Sequence, residues 1–184
     1  MKKQAMRMAN RKGSAICSLI HAALLIAIAV GPIVCADGGA EVKFRGVDGK
    51  TYDLARFRGK VVLVSFGASW CAPCLVELEA LEELKREYAS KPVEFLWVSI
   101  ETEEERSDWT LRNFARDNRL TIPVLRDPRQ VVYSRFSSRV RMPLVIFFDR
   151  EGKPAGKPHV GMATPEVYKK VIRQRLDALL EGDQ

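Results

Sequence analysis

A chain of 184 residues, 47% apolar and 29% charged, carries enough hydrophobic content for one domain with a sizeable core and a short extra segment. Its net charge of +7 is uneven: Lys2, Lys3, Arg7, Arg11 and Lys12 give the first 36 residues +5 with no acid, leaving +2 for the remainder. The basic balance therefore belongs largely to one terminal segment, and no nucleic-acid partner is expected from it.

That segment has a basic start, an apolar run from Ala15 to Val30, a Gly31-Pro32 breaker and then Ile33-Val34-Cys35-Ala36. Cleavage after Ala36 would leave Val34 and Ala36 at the two small-residue positions of a signal-peptidase site. The alternative is an uncleaved membrane anchor, since residues 14–36 just reach the length that spans a bilayer. Lipidation at Cys35 is not expected, because Pro32-Ile33-Val34 matches a lipobox poorly. Every version exports the rest of the chain, because the positive start stays on the cytoplasmic side. The expected organisation is residues 1–36 as signal peptide or anchor and 37–184 as one periplasmic or otherwise extracytoplasmic domain, where a disulfide can persist.

Beyond Asp37-Gly38-Gly39, Val42 to Phe44 and Thr51 to Leu54 read as a strand pair around an Asp48-Gly49 turn. Val61 to Phe66 is nearly all apolar, as in a strand buried on both faces. A helix from about Ala72 to Ser90 places Cys74, Leu78, Leu81, Leu84 or Lys85 and Tyr88 near one stripe. Glu79, Glu82, Glu83, Arg86 and Glu87 fall mostly outside it, with Glu82 and Arg86 spaced for an i,i+4 pair. Val93 to Ile100 is a second buried strand, followed by a helix from Ser107 to Asn118 with Trp109, Leu111 and Phe114 as its apolar positions. Ile122 to Leu125 reads as a short strand, Val131 to Phe136 as a short helix, and Leu144 to Phe148 as an apolar strand before a turn at Asp149-Arg150-Glu151-Gly152. A short strand near His159 to Gly161 precedes a helix capped by Thr164, opened by Pro165 and ended near Leu180 before Gly182. Strands alternating with helices argue for a single α/β domain.

The chemistry concentrates in Trp70-Cys71-Ala72-Pro73-Cys74, at the junction of a strand and a helix. The nucleophile of thiol-disulfide exchange is a thiolate, and a helix N-terminus offers free N–H groups and partial positive charge to the first cysteine. Pro73 costs no helical hydrogen bond in the first turn. Cys74, one turn deeper on the apolar stripe, is placed to resolve a mixed disulfide with Cys71. Zinc binding and an inert structural disulfide are the competing readings. A closed zinc site needs four ligands as a rule, and the other cysteines, Cys17 and Cys35, lie in the leader, with His21 and His159 the only histidines. No cofactor is expected.

The sequence resembles the thioredoxin superfamily, and within it the exported TlpA/ResA-like thiol-disulfide oxidoreductases. The resemblance is carried by Gly59-Lys60 with Val61 to Phe66, by Ala68-Ser69-Trp70-Cys71-Ala72-Pro73-Cys74, by Glu77, and by Met142-Pro143 before Leu144 to Phe148; it spans Val42 to Leu180. It implies a thioredoxin fold, α/β, with a central mixed sheet flanked by helices and an N-terminal strand pair. It also implies Pro143 as a cis-proline facing the dithiol, with Trp70, Met142 and Pro143 forming the wall that meets an extended substrate peptide. Protein thiols or disulfides are the implied partners, with a membrane-bound electron donor behind them. Glu77 is implied to sit near the dithiol and take part in its proton transfer; a solvated helical glutamate is the plain alternative. Ser65 stands where thioredoxin carries a buried aspartate, leaving Glu77 as the better acid-base candidate.

The chain also departs from the pattern. Gly67 takes an aromatic position of the usual Phe-Trp-Ala-x-Trp run, leaving Trp70 as the only tryptophan expected by the site, and Glu79 replaces a helix-kinking proline. Leu144-Val145 replaces the commoner threonines, which bears on partner choice. Arg126, Arg129, Arg135, Arg139 and Arg141 form a basic cluster whose plain reading is solvated arginines and whose functional reading is docking of an acidic partner. The acids from Glu101 to Glu105 read as a solvated loop and helix start, Trp109 as packing a helix on the sheet, and His159 as structural. The expected activity is ping-pong exchange, favoured as a reductant in cytochrome c maturation or metal-site assembly. A copper-handling protein is the alternative from another class, with Cys71 and Cys74 as soft Cu(I) ligands and Met142 as a third.

Overall fold

The computed structural model describes residues 41–182, so the leader expectations lie outside the described residues. The apolar runs form a seven-stranded mixed sheet: β1 (Lys43–Gly46), β2 (Thr51–Asp53), β3 (Val61–Gly67), β4 (Val93–Ser99), β5 (Val124–Arg126), β6 (Leu144–Phe148) and β7 (His159–Val160), ordered β2-β1-β5-β4-β3-β6-β7. β3 and β5 flank β4 in parallel, and β6 runs antiparallel to β3 with Phe66 opposite Leu144. Every residue of β3 and of β6 is buried, as expected of such nearly continuous apolar runs covered on both faces.

Among the described residues three α-helices accompany the sheet: α1 (Ala72–Glu87), α2 (Asp108–Asp117) and α3 (Pro165–Glu181). Alternation along the strands divides the core. Val61, Leu63, Phe95, Trp97, Val145 and Phe147 join Leu78, Leu81 and Leu84 of α1, Leu111 of α2, and Tyr168, Ile172 and Leu176 of α3. Val62, Val64, Phe66, Leu96, Val98 and Ile146 form the other cluster with Val42, Phe44, Leu54 and Tyr133. Ser65 and Gly67 share the strand parity of Leu63 and so belong to the α1/α3 face.

Several local expectations are corrected. The segment from Val131 to Phe136 makes only a 3-10 turn at Tyr133–Arg135, held by the Asp127 carboxylate, which accepts from the N–H groups of Val131, Val132 and Tyr133. β5 begins at Val124 rather than Ile122, because the Thr121 and Ile122 amides donate to Glu82 instead of to a ladder. Glu82 is accordingly buried, not an outward partner for Arg86. Trp109 is 67% exposed, because Leu111, Phe114 and Ala115 form the inward stripe of α2 and position 109 falls on its far side.

Candidate active site

β3 delivers the chain to the dithiol. At its end, Ile100 N–H donates to Gly67 C=O at 3.1 Å, and Ala68 to Trp70 lead into Cys71, the N-cap of α1. The N-cap role falls to sulfur here. Cys71 Sγ accepts from the Cys74 N–H at 3.3 Å, while Cys71 C=O accepts from the Leu75 N–H at 3.1 Å. A backbone donor is thus aimed at the sulfur that must carry negative charge, on the positive end of the helix dipole. Cys71 and Cys74 are joined in a disulfide with Cα atoms 5.2 Å apart. Cys74 is fully buried and Cys71 only 6% exposed, whereas Trp70 beside them is 61% exposed.

Met142 packs against Ala68, Cys71 and Cys74, and the Met142–Pro143 bond is cis. Pro143 C=O accepts from the Gly161 N–H at 2.8 Å, which ties this loop to the end of β7. On its other side the loop leans on buried Tyr133, whose hydroxyl receives the Arg141 N–H at 2.7 Å and lies 3.1 Å from Arg139 C=O. The sequence-identified Trp70, Cys71, Cys74, Met142 and Pro143 therefore gather at one place from two loops some seventy residues apart in the chain.

Glu77 is fully buried, on the second turn of α1. Ser65 Oγ of β3 donates to its Oε2 at 2.7 Å, and the Tyr168 hydroxyl of α3 donates to its Oε1 at 2.6 Å. Burial pushes the Glu77 carboxyl up to about 7, against the hydrogen bonds from Tyr168 and Ser65, which pull it down. Burial, and then the charge of Glu77, holds Tyr168 well above the ordinary phenol value, so it remains a donor. The ring of His159 meets the Tyr168 ring edge-on at 5.5 Å, and burial followed by the Arg175 charge lowers its imidazole. The carboxyl is thus one turn from Cys74, dry, and poised to change protonation near neutrality.

Other residues of the site were not singled out in the sequence. Glu101 is buried, contrary to its reading as a solvated acid: its Oε2 accepts from the Ser69 N–H at 2.8 Å and Ser99 Oγ at 2.9 Å, and its Oε1 from Ser69 Oγ at 2.8 Å. It fastens the Ser69-Trp70 approach to the end of β4. Its signal was an acid just past the end of the apolar stretch Phe95 to Val98, with a serine two residues back. Arg126 is not part of an exposed basic cluster either. Its side chain is buried, donating to the carbonyls of Arg106 and Glu101 and pairing with Asp108 at 3.1 Å. Arg129, Arg135, Arg139 and Arg141 are exposed. Trp70 is not the only tryptophan by the dithiol: Trp97 Nε1 would lie 3.0 Å from a Cβ built on Gly67, and Cys74 Sγ 3.2 Å from it. Among the described residues, no group of three or more His, Cys, Asp or Glu is placed to hold a metal.

A family model described as Redoxin matches residues 39–171. The chain belongs to the Redoxin family. It is 32% identical to the thioredoxin-like protein YneN of Bacillus subtilis (strain 168), over 74% of this chain and 75% of that one. It is 29% identical to the thiol-disulfide oxidoreductase ResA of Bacillus thuringiensis (strain Al Hakam), over 74% of this chain and 68% of the relative. Of solved structures, a Chlorobium tepidum protein described as a putative thiol:disulfide interchange protein DsbE superposes with a TM-score of 0.64 at 25% identity, covering 76% of this chain and 93% of its own. The fold is the thioredoxin fold, and this Redoxin chain is a thiol-disulfide oxidoreductase whose partners are protein thiols or disulfides.

Proposed function

We propose that the chain works outside the cytoplasm as a reductant of protein disulfides, serving cytochrome c maturation or metal-site assembly. The observation that carries the mechanism is the fully buried Glu77 carboxyl, held between Ser65 and Tyr168, whose burial pushes it up to about 7. In the reduced enzyme, the Cys71 thiolate attacks a partner disulfide, forming a Cys71–partner bond and releasing the partner's other sulfur as thiolate. Cys74 then gives its proton to the Glu77 carboxylate and attacks Cys71 Sγ. The Cys71–Cys74 bond forms, the Cys71–partner bond breaks, and the second partner sulfur leaves as thiolate. Two electrons have passed from the dithiol to the partner. Trp70, Met142 and Pro143 form the wall that receives the partner's extended backbone.

The direction of flow is supported by the likeness to ResA and DsbE, and export by the basic, apolar character of residues 1–36. A membrane-bound electron donor returns the dithiol to its reduced form, and residues 14–36 provide a means of holding the domain near it when they are not cleaved. The test is alkylation trapping of the full chain in its own cells together with a Cys74→Ser variant. A mostly reduced dithiol, and a Cys71-linked partner whose disulfide persists when the gene is deleted, are expected. A dithiol found oxidised at steady state would overturn the reductant role, and absence of any Cys71 adduct would overturn the exchange mechanism.

A further inference from the structure

Trp97 is fully buried in the middle of the sheet, and its indole N–H has no hydrogen-bond partner. Such orphaned donors are rare, because a buried N–H surrenders its water without replacement. The ring is not free to turn away: it stacks on Phe114 of α2 with centroids 5.6 Å apart, and its backbone is in register with Ser65 on β3. Trp97 Nε1 borders the space where Gly67 has no side chain. A Cβ there would stand 3.0 Å from Trp97 Nε1 and 3.2 Å from both Cβ and Sγ of Cys74. The indole nitrogen and the resolving sulfur thus converge on one small volume kept empty by a glycine.

We propose that the Trp97 indole N–H is the hydrogen-bond donor to Cys74 Sγ in the reduced enzyme, reaching it through the gap that Gly67 leaves. In the disulfide, Cys74 Sγ is bonded to Cys71 and is a poor acceptor. When exchange with a thiol opens that bond, two electrons enter the pair and Cys74 Sγ is released as a thiol or thiolate, the thiolate carrying one more lone pair and a full negative charge and so being the stronger acceptor. A donor waiting in a dry, fixed position then stabilises the reduced form over the oxidised one. It also steadies Cys74 in the same thiolate form from which it attacks the mixed disulfide. Glu77 manages the proton of Cys74, and Trp97 holds the sulfur once that proton has gone. The placement of Gly67 two positions along β3 from Ser65, the register partner of Trp97, acquires a purpose: the small residue admits the indole from β4 to the dithiol. This inference rests on Cys74 being the resolving sulfur of the proposed reaction.

The test uses the full chain with its indoles labelled with nitrogen-15, and the three tryptophan side-chain signals assigned by Trp70→Phe, Trp97→Phe and Trp109→Phe. On reduction with excess dithiothreitol, the Trp97 indole proton should move downfield while that of Trp109 stays in place. An unchanged or upfield-shifted Trp97 signal overturns the proposal. Equilibration against glutathione supplies the second reading. Loss of the donor in Trp97→Phe should disfavour the reduced form about tenfold, which is about 30 mV toward more negative potential for a two-electron couple. Trp109→Phe should match the parent. Gly67→Ala, which keeps the indole but fills the gap, should shift the same way, and it serves as the decisive variant if Trp97→Phe does not fold. Parent-like equilibria in the folded variants overturn the inference while leaving the dithiol reading intact. A parent chain showing no two-electron titration overturns that reading instead.

Discussion

Replacing Glu77 by glutamine tests whether a buried carboxyl, rather than a solvated one, stands behind the dithiol. In an unfolded chain the group releases its proton near its ordinary value of 4.5, whereas in the folded protein burial holds the proton until about 7. Between those two pH values the folded state binds more protons, so raising the pH favours unfolding, and the loss is complete above the folded value. The gap from 4.5 to about 7, at about 1.4 kcal/mol per pH unit, amounts to about 3 kcal/mol. Glutamine keeps the shape, can accept from Tyr168 and can donate to Ser65, but carries no proton to lose. The difference in stability between Glu77→Gln and the parent should therefore rise by about 3 kcal/mol from pH 4.5 to pH 8 and then stay level. Urea unfolding of the oxidised chain measures it, and with slopes of about 2 kcal/mol per molar urea the midpoints should separate by about 1.5 M across that range. Other titrating groups cancel in the comparison. Glu83 and Glu87, lowered by hydrogen bonds from Lys169 and Arg173, act below the window. His159 is lowered by burial and favours folding as pH rises, in both proteins alike. Parallel stability curves for parent and variant would refute the argument, because they would mean that Glu77 ionises in the folded protein as freely as in the unfolded one.

Glu101→Ala strips the acceptors from Ser69 N–H, Ser69 Oγ and Ser99 Oγ. Leaving those donors unpaired should cost about 3 kcal/mol in urea unfolding, with faster hydrogen exchange at the Ser69 amide and slower insulin reduction. A variant as stable as the parent would show that the loop before Cys71 does not depend on this anchor. Trp109→Ala should change stability by less than about 0.5 kcal/mol, since the ring is exposed. A loss of several times that amount, read by the same unfolding curve, would place Trp109 in the core after all.

Much of this architecture was legible along the chain. Nearly continuous apolar runs such as Val61 to Phe66 and Leu144 to Phe148, short and rich in β-branched residues, read as strands covered on both faces. The caps were equally local: Thr164 accepts from the Val167 N–H, and Cys71 does the same for Cys74 with sulfur. Charged residues were read less well, and for one reason. Glu82, Glu101 and Arg126 are buried because donors and acceptors from distant segments meet them, at separations such as 39 residues for Thr121, 32 for Ser69 and 25 for the Glu101 carbonyl. A charge looks solvated until its partners are known.

The dithiol shows the same division. Trp70-Cys71-Ala72-Pro73-Cys74 at a strand-to-helix junction determined by itself that a thiolate would sit on a helix N-terminus, since that follows from spacing and from which backbone N–H groups a first turn leaves free. The tertiary structure alone decided what surrounds it: Met142 from a later loop over the sulfurs, Glu77 sealed between Ser65 and Tyr168, and Trp97 Nε1 beside the gap at Gly67. Helical spacing is a property of neighbours, whereas dielectric and hydrogen-bond supply are properties of whatever the fold brings alongside. A sequence states the first directly and the second only through the finished packing.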